Sequence, residues 1–141
     1  MSKQLAEQDG RVVPGFAFFH IPLDEMLYAL NDGRITGMRR EKVACSSMNT
    51  GAFAAFEKMG NIRLIGYGHD HDNDFNTTYF GIDMYYGRKT GYGSYGPPKG
   101  VEKGSRIYYV HADTEGNVTW DSAIRTESGK LLHDGRHYRH W

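Results

Sequence analysis

The stretch IRLIGYGHDHDNDF, residues 62–75, decides how the chain is read. Its first half, IRLIGYG (62–68), alternates as a strand does. Its second half gathers His69 and His71 among Asp70, Asp72, Asn73 and Asp74. In α/β sheets, sites collect beyond the carboxyl ends of strands, and this cluster follows such an end directly. In an extended segment, side chains two apart point the same way. His69 and His71 can therefore converge on one spot, or lie side by side facing a pair of ions. Neutral imidazoles suit zinc, iron or manganese, whereas magnesium prefers oxygen ligands. The plain alternative is a chance His-x-His on a solvated loop.

Upstream, GFAFFH (15–20) is a short, continuous apolar run ending in His20. It reads as a strand buried on both faces, stopped by Pro22. His20, His69 and His71 thus stand at the ends of two strands and outline a metal-binding rim. PLDEMLYALN (22–31) reads as a helix with proline at its start and Asn31-Asp32-Gly33 at its stop. Residues 32–42 read as a polar loop. SSMNTGAFAAFEKMGN (46–61) reads as a second helix, capped by Ser47 or Asn49 and ended by Gly60. TTYFG and IDMYYG read as two short strands around Gly81. RKTGYGSYGPPKG (88–100) has no strand or helix pattern. SRIYYVHAD (105–113) and VTWDSAIRT (118–126) read as paired strands across a turn at 115–117. The expected architecture is layered α/β with antiparallel strands toward the C-terminus. Two helices cannot cover both faces of such a sheet, so half of a larger sandwich is expected. Residues 1–11 are expected to be disordered, 12–129 to form the domain, and 130–141 to be a polar, histidine-bearing tail.

The totals narrow the possibilities. The 141 residues suit one small domain. Lys plus Arg and Asp plus Glu both number 17, giving zero formal charge. No basic excess points to nucleic acid, and no apolar run reaches the length of a membrane span. The opening MSKQLAEQDGRVVPG lacks the apolar core of a signal peptide; the compartment stays open, because a longer parent chain could carry one. Cys45 is the single cysteine, which excludes an internal disulfide framework and a cysteine-based zinc site. No activating base is evident beside it, so it reads as a small half-buried residue.

Other motifs fail on geometry. Asp70, Asp72 and Asp74 alternate like a calcium loop, but Phe75 stands where a sharp turn needs glycine and Gly81 where a bidentate glutamate belongs. GYGSYG (91–96) matches G-x-G-x-x-G, yet Pro97 and Pro98 follow, so no helix opens there. Arg88 and Lys89 read as solvated loop charges that could at most touch a phosphate. His111, His133, His137 and His140 share no strand-end position.

Taken together, FAFFHIPL and GYGHDHDND resemble the last two metal-binding blocks of the calcineurin-like metallophosphoesterases. YYGRKTGYGSYG, GSRIYYV and VTWDSAIRTESG resemble a subgroup related to purple acid phosphatases. The similarity runs from about Phe16 to Gly129. It implies the C-terminal half of a four-layer α/β/β/α sandwich holding two metal ions (Fe, Zn or Mn) and hydrolysing a phosphorylated substrate, a phosphate monoester. It implies that His20 and His69 bind the second metal and His71 the first. Asp70, Asp72 and Asp74 are expected to orient the imidazoles from outside the ligand set. The family's earlier blocks, Asp-x-His, Gly-Asp and Gly-Asn-His, do not occur upstream of Phe16. The resemblance therefore implies a missing N-terminal half, in cis or in trans, and little catalysis by this chain alone. The competing expectations are a non-catalytic binding module and a single zinc held by His20 and His69.

Overall fold

In the computed structural model of the chain, which describes residues 2–31 and 34–134, the run Gly15–Phe18 (β1) lies parallel to Ile62–Tyr67 (β2). Between them come two short helices, Glu25–Leu30 (α2) and Ala52–Met59 (α3); a first helix, α1, spans Ser2–Asp9. Asn76–Tyr79 (β3) and Ile82–Tyr86 (β4) form the hairpin expected around Gly81, and β4 runs parallel to β2. The first sheet has the order β1-β2-β4-β3. The second contains Gly104–Ala112 (β5), Val118–Thr126 (β6) and Leu131–His133 (β7), all antiparallel, in sequence order. The chain is therefore mixed α/β, with its antiparallel sheet toward the C-terminus.

Alternation along the parallel strands builds two cores. Odd positions of β2 and even positions of β4 turn one way: Ile65, Tyr67, Ile82, Met84 and Tyr86 pack with Met26 and Ala29 of α2 and Phe53 of α3. The opposite face of the same strands gives Leu64 and Tyr85, which pack with Trp120 of β6. Phe16 sits edge-on to Trp120, with ring centroids 5.2 Å apart, and Phe18 edge-on to Tyr108. Helices cover one face of the first sheet and the second sheet lies against the other. Near-continuous apolar strands are the signature of a sheet covered twice, and β4 is buried at every position.

Several expectations are corrected. Ser2–Asp9 is helical, not a disordered end; its Ala, Gln, Leu and Glu are good helix formers. Both predicted helices are shorter than their patterns. α3 starts only after Gly51, whose left-handed φ of 76° breaks any earlier helix, and Asn49 Oδ1 accepts the Gly51 N–H instead of capping. Gly60 ends α3 as expected. The stop expected at Asn31-Asp32-Gly33 holds at Asn31, the C-cap of α2; Asp32 and Gly33 lie outside the described residues. The polar loop 34–42 is a strap against β3, bridging through Thr36 to Asn76 and through Arg39 to Asn73. The expected tail begins with a strand, since Leu131–His133 pairs with Ala123–Arg125; His137 and His140 lie outside the described residues.

Candidate metal centre

The β1–β2 pairing continues past both strand ends. Phe19 N–H donates to Gly66 O (3.1 Å) and Gly68 N–H to His20 O (3.1 Å). That register carries the two histidines to the same place. His69 Nδ1 lies 3.3 Å from His20 Nε2, with the rings nearly perpendicular. His69 has a left-handed φ of 73°, uncommon outside glycine though less so for histidine. This twist breaks the two-residue alternation. The loop then tightens into a turn, with Asn73 N–H donating to Asp70 O (3.2 Å).

His71 consequently does not join the pair. Its ring stacks on Tyr95, centroids 4.4 Å apart, and its Nδ1 meets Tyr95 O at 2.9 Å. A carbonyl can only accept, so Nδ1 carries the proton and Nε2 is left as a lone-pair donor. Tyr95 also donates its hydroxyl to Glu41 Oε2 (2.9 Å), and Glu41 Oε1 accepts the Asp72 N–H (2.6 Å). The sequence reading missed Tyr95 and Glu41. No local signal marks either, because the loop at 91–96 and the strap at 34–42 meet the histidine only in space.

The acidic residues of the loop do not touch the imidazoles. Asp70 Oδ2 accepts from Ala44 N–H (3.1 Å) and from the buried Tyr86 hydroxyl (2.5 Å). Asn73 Oδ1 accepts from Arg40 and Glu41 N–H. Asp74 Oδ1 accepts from Met38 N–H (2.6 Å), and its other oxygen accepts from Arg88 Nε (2.7 Å). These side chains lash the strap, together with Ala44 just beyond it, to the histidine loop. Arg88, expected to be solvated, is buried and ion-paired with Asp74: a carboxylate that turned inward would remain unpaired without it. Arg106 reaches across from β5 to Tyr86 O and Asp74 O and pairs with Asp134. Cys45 is half-buried and donates to Leu23 O, and burial with nearby carboxylates pushes its thiol up to about 11. It is not an activated nucleophile.

The His20–His69 geometry fits one donor edge of a metal site. At Zn–N distances of about 2.0–2.1 Å, two ligands of a tetrahedron stand roughly 3.3–3.4 Å apart, which is the separation observed. Among the described residues, no group of three or more His, Cys, Asp or Glu could hold an ion. The 3.3 Å separation is also that of an N–H···N hydrogen bond between the two rings, either of which can donate according to its tautomer.

A layered α/β chain with histidines at its strand ends is the class that fold and site define. The chain is 33% identical over 127 residues to a protein of Arabidopsis thaliana named Probable inactive purple acid phosphatase 29, covering 90% of this chain and 32% of that protein. It is 36% identical over 121 residues to Probable inactive purple acid phosphatase 28 of the same plant, covering 86% and 30%. It is 30% identical over 126 residues to Probable inactive purple acid phosphatase 14, covering 88% and 31%. No family profile matches the chain, and no solved structure matches it. The similarity relates the chain to purple-acid-phosphatase-like proteins. The chain spans about a third of the length of the curated relatives it matches.

Proposed function

We propose that the chain is the C-terminal portion of a calcineurin-like metallophosphoesterase domain, and that it contributes His20, His69 and His71 to a two-metal centre completed by other polypeptide. The observation that carries this reading is the 3.3 Å approach of His20 Nε2 to His69 Nδ1 at the ends of two parallel strands. The helix–sheet–sheet layering supports three layers of a four-layer sandwich. His20 and His69 offer one ion two nitrogens, and His71, held by Tyr95, offers Nε2 separately. Bound ions would supply Lewis-acid activation of a phosphate ester and of the attacking water. The chain's own part is positional: Asp70, Asn73 and Asp74 tie the loop to the strap, and Tyr95 sets the tautomer of His71. With a donor edge and no complete ligand set among the described residues, this chain by itself is expected to perform little hydrolysis.

Zinc titration by calorimetry tests the reading. The chain is combined with polypeptide corresponding to the unmatched part of the Arabidopsis relatives, and compared with His20→Ala and His69→Ala. Groups that merely support ligands are worth about 10–100-fold in affinity, so each alanine should cost at least that much. Unchanged zinc affinity in both variants would sink the assignment.

A second reading has one observation behind it. All three relatives carry the name probable inactive purple acid phosphatase, which favours a binding module that has left catalysis behind. A reconstituted pair that binds zinc at His20 and His69 yet cleaves no phosphate monoester would select it.

A further inference from the structure

We propose that the cleft between the loop that follows β4 and the outer face of the second sheet is a binding site for a small aromatic carboxylate. The site shares no residue with the candidate metal centre and does not depend on it.

The register of β5 and β6 builds the floor. Ser105 lies opposite Arg125, and Ile107 opposite Ala123. Side chains two apart point the same way, so Ser105, Ile107 and Arg125 share one face. Arg106 and Tyr108 take the other face, toward Tyr86 and Phe18 of the first sheet. The loop supplies the wall. Thr90 Oγ1 donates to Gly104 O (2.9 Å), and Gly104 N–H donates to Lys89 O (3.0 Å). The Tyr92 hydroxyl donates to Glu127 Oε2 (2.8 Å), and Glu127 N–H donates to Lys103 O (2.8 Å). Lys103 Nζ stands 4.7 Å from the centroid of the Tyr92 ring. The walls are thus fixed by hydrogen bonds before any ligand arrives. The cleft holds about 250 Å³, below the roughly 300–1,000 Å³ that drug-sized ligands occupy, so its ligand is a smaller molecule.

The uncommitted polar groups decide the ligand's charge. Among the described residues, neither Lys103 nor Arg125 makes an ion pair. Both side chains donate and neither accepts. Glu127 is the acid of the lining, and Tyr92 already occupies one of its oxygens. Its neighbour Glu102 faces Lys130 instead. Two cations against one carboxylate leave a single positive charge in the cleft. A carboxylate carries one negative charge, and its planar fork fits a guanidinium through two parallel hydrogen bonds. A phosphate monoester carries about −1.5 to −2 at neutral pH and overshoots that balance. The carrier is apolar and flat for a separate reason. The Tyr92 ring is 80% exposed and stands beside Ile107 and the threonine methyls of Thr90 and Thr126, a surface suited to an offset-stacked ring.

Proton–nitrogen correlation NMR of the full chain tests the assignment. Sodium benzoate is the probe; acetate, benzyl alcohol and phenyl phosphate are compared at equal ionic strength. Benzoate should give saturating shifts centred on Thr90, Tyr92, Lys103, Ser105 and Arg125, with a Kd of about millimolar order. Acetate and benzyl alcohol, each lacking half of the ligand, should bind at least about tenfold more weakly. Arg125→Gln and Tyr92→Leu should each weaken benzoate by about tenfold or more, with little change in thermal midpoint because both side chains are exposed. Lys103→Gln reads the same loss of charge from a second position. Shifts that never saturate, or that persist unchanged in Arg125→Gln, overturn the site. Acetate binding as tightly as benzoate, or phenyl phosphate binding more tightly, overturns the assignment of an aromatic carboxylate.

Discussion

Tyr95 and Gly96 govern His71 more directly than any acidic neighbour does. A Cβ added at Gly96 would stand 2.7 Å from both His71 Cβ and Asp72 Oδ1, at a φ of 71°. Left-handed backbone costs a non-glycine residue about 1–2 kcal/mol. Gly96→Ala should destabilise by at least that amount in urea and shift the His71 ring signals in NMR spectra, leaving those of His20 and His69 in place. Arg88 sets a second test. Arg88→Met leaves the Asp74 carboxylate buried without its cation, and breaking such a pair costs about 3–5 kcal/mol. The double variant Arg88→Met, Asp74→Leu should recover part of that loss in the same denaturation series. If the single variant costs nothing, the pair does not hold the loop. Neither residue stands out in the sequence, where Arg88 looks like one more loop charge.

At the scale of elements, the β3–β4 hairpin separates burial from exposure within a few residues. Met84 is fully buried between the helices and the sheet, whereas Phe80 at the hairpin tip is 70% exposed. Met84→Ala should cost about 2–5 kcal/mol; Phe80→Ala should stay within about 0.5 kcal/mol. Equal effects in chemical denaturation would mean that the hairpin is packed differently. The hairpin was legible beforehand because Phe80-Gly81 interrupts two alternating runs. The third strand of the second sheet was not, because Leu131–His133 is short, exposed and chosen by its partner β6. The strap at 34–42 was hidden for the same reason: its partners Asn73 and Asp74 lie more than thirty residues away.

For the whole molecule, the buried tyrosines set an alkaline limit. Burial pushes Tyr67, Tyr85, Tyr86 and Tyr108 up from the ordinary 10.0, and at Tyr86 the hydrogen bond to Asp70 adds to it. Burial likewise moves Cys45 from 9.0 to about 11. These acids keep their protons in the fold and lose them once unfolded. Their contribution is complete below pH 9.0 and falls as pH rises, through 9.0 to about 11 for Cys45 and above 10.0 for the tyrosines. The thermal midpoint should therefore drop between pH 9 and 11, with tyrosinate absorbance appearing together with unfolding. A midpoint unchanged across that interval would contradict the packing of both cores.

What the sequence by itself determined is local and periodic. Two-residue alternation and apolar runs marked β1, β2, β4 and the β5–β6 pair, glycines marked the turns, and strand ends singled out His20, His69 and His71. Tertiary structure alone decided which of these meet. Parallel register brings His20 to His69, while the left-handed turn at His69 sends His71 to Tyr95. Long-range pairing likewise turned Asp70 and Asp74 from candidate supports of the imidazoles into anchors of a distant strap. Periodicity reports which face a side chain takes; hydrogen bonds between segments thirty residues apart leave no period to read.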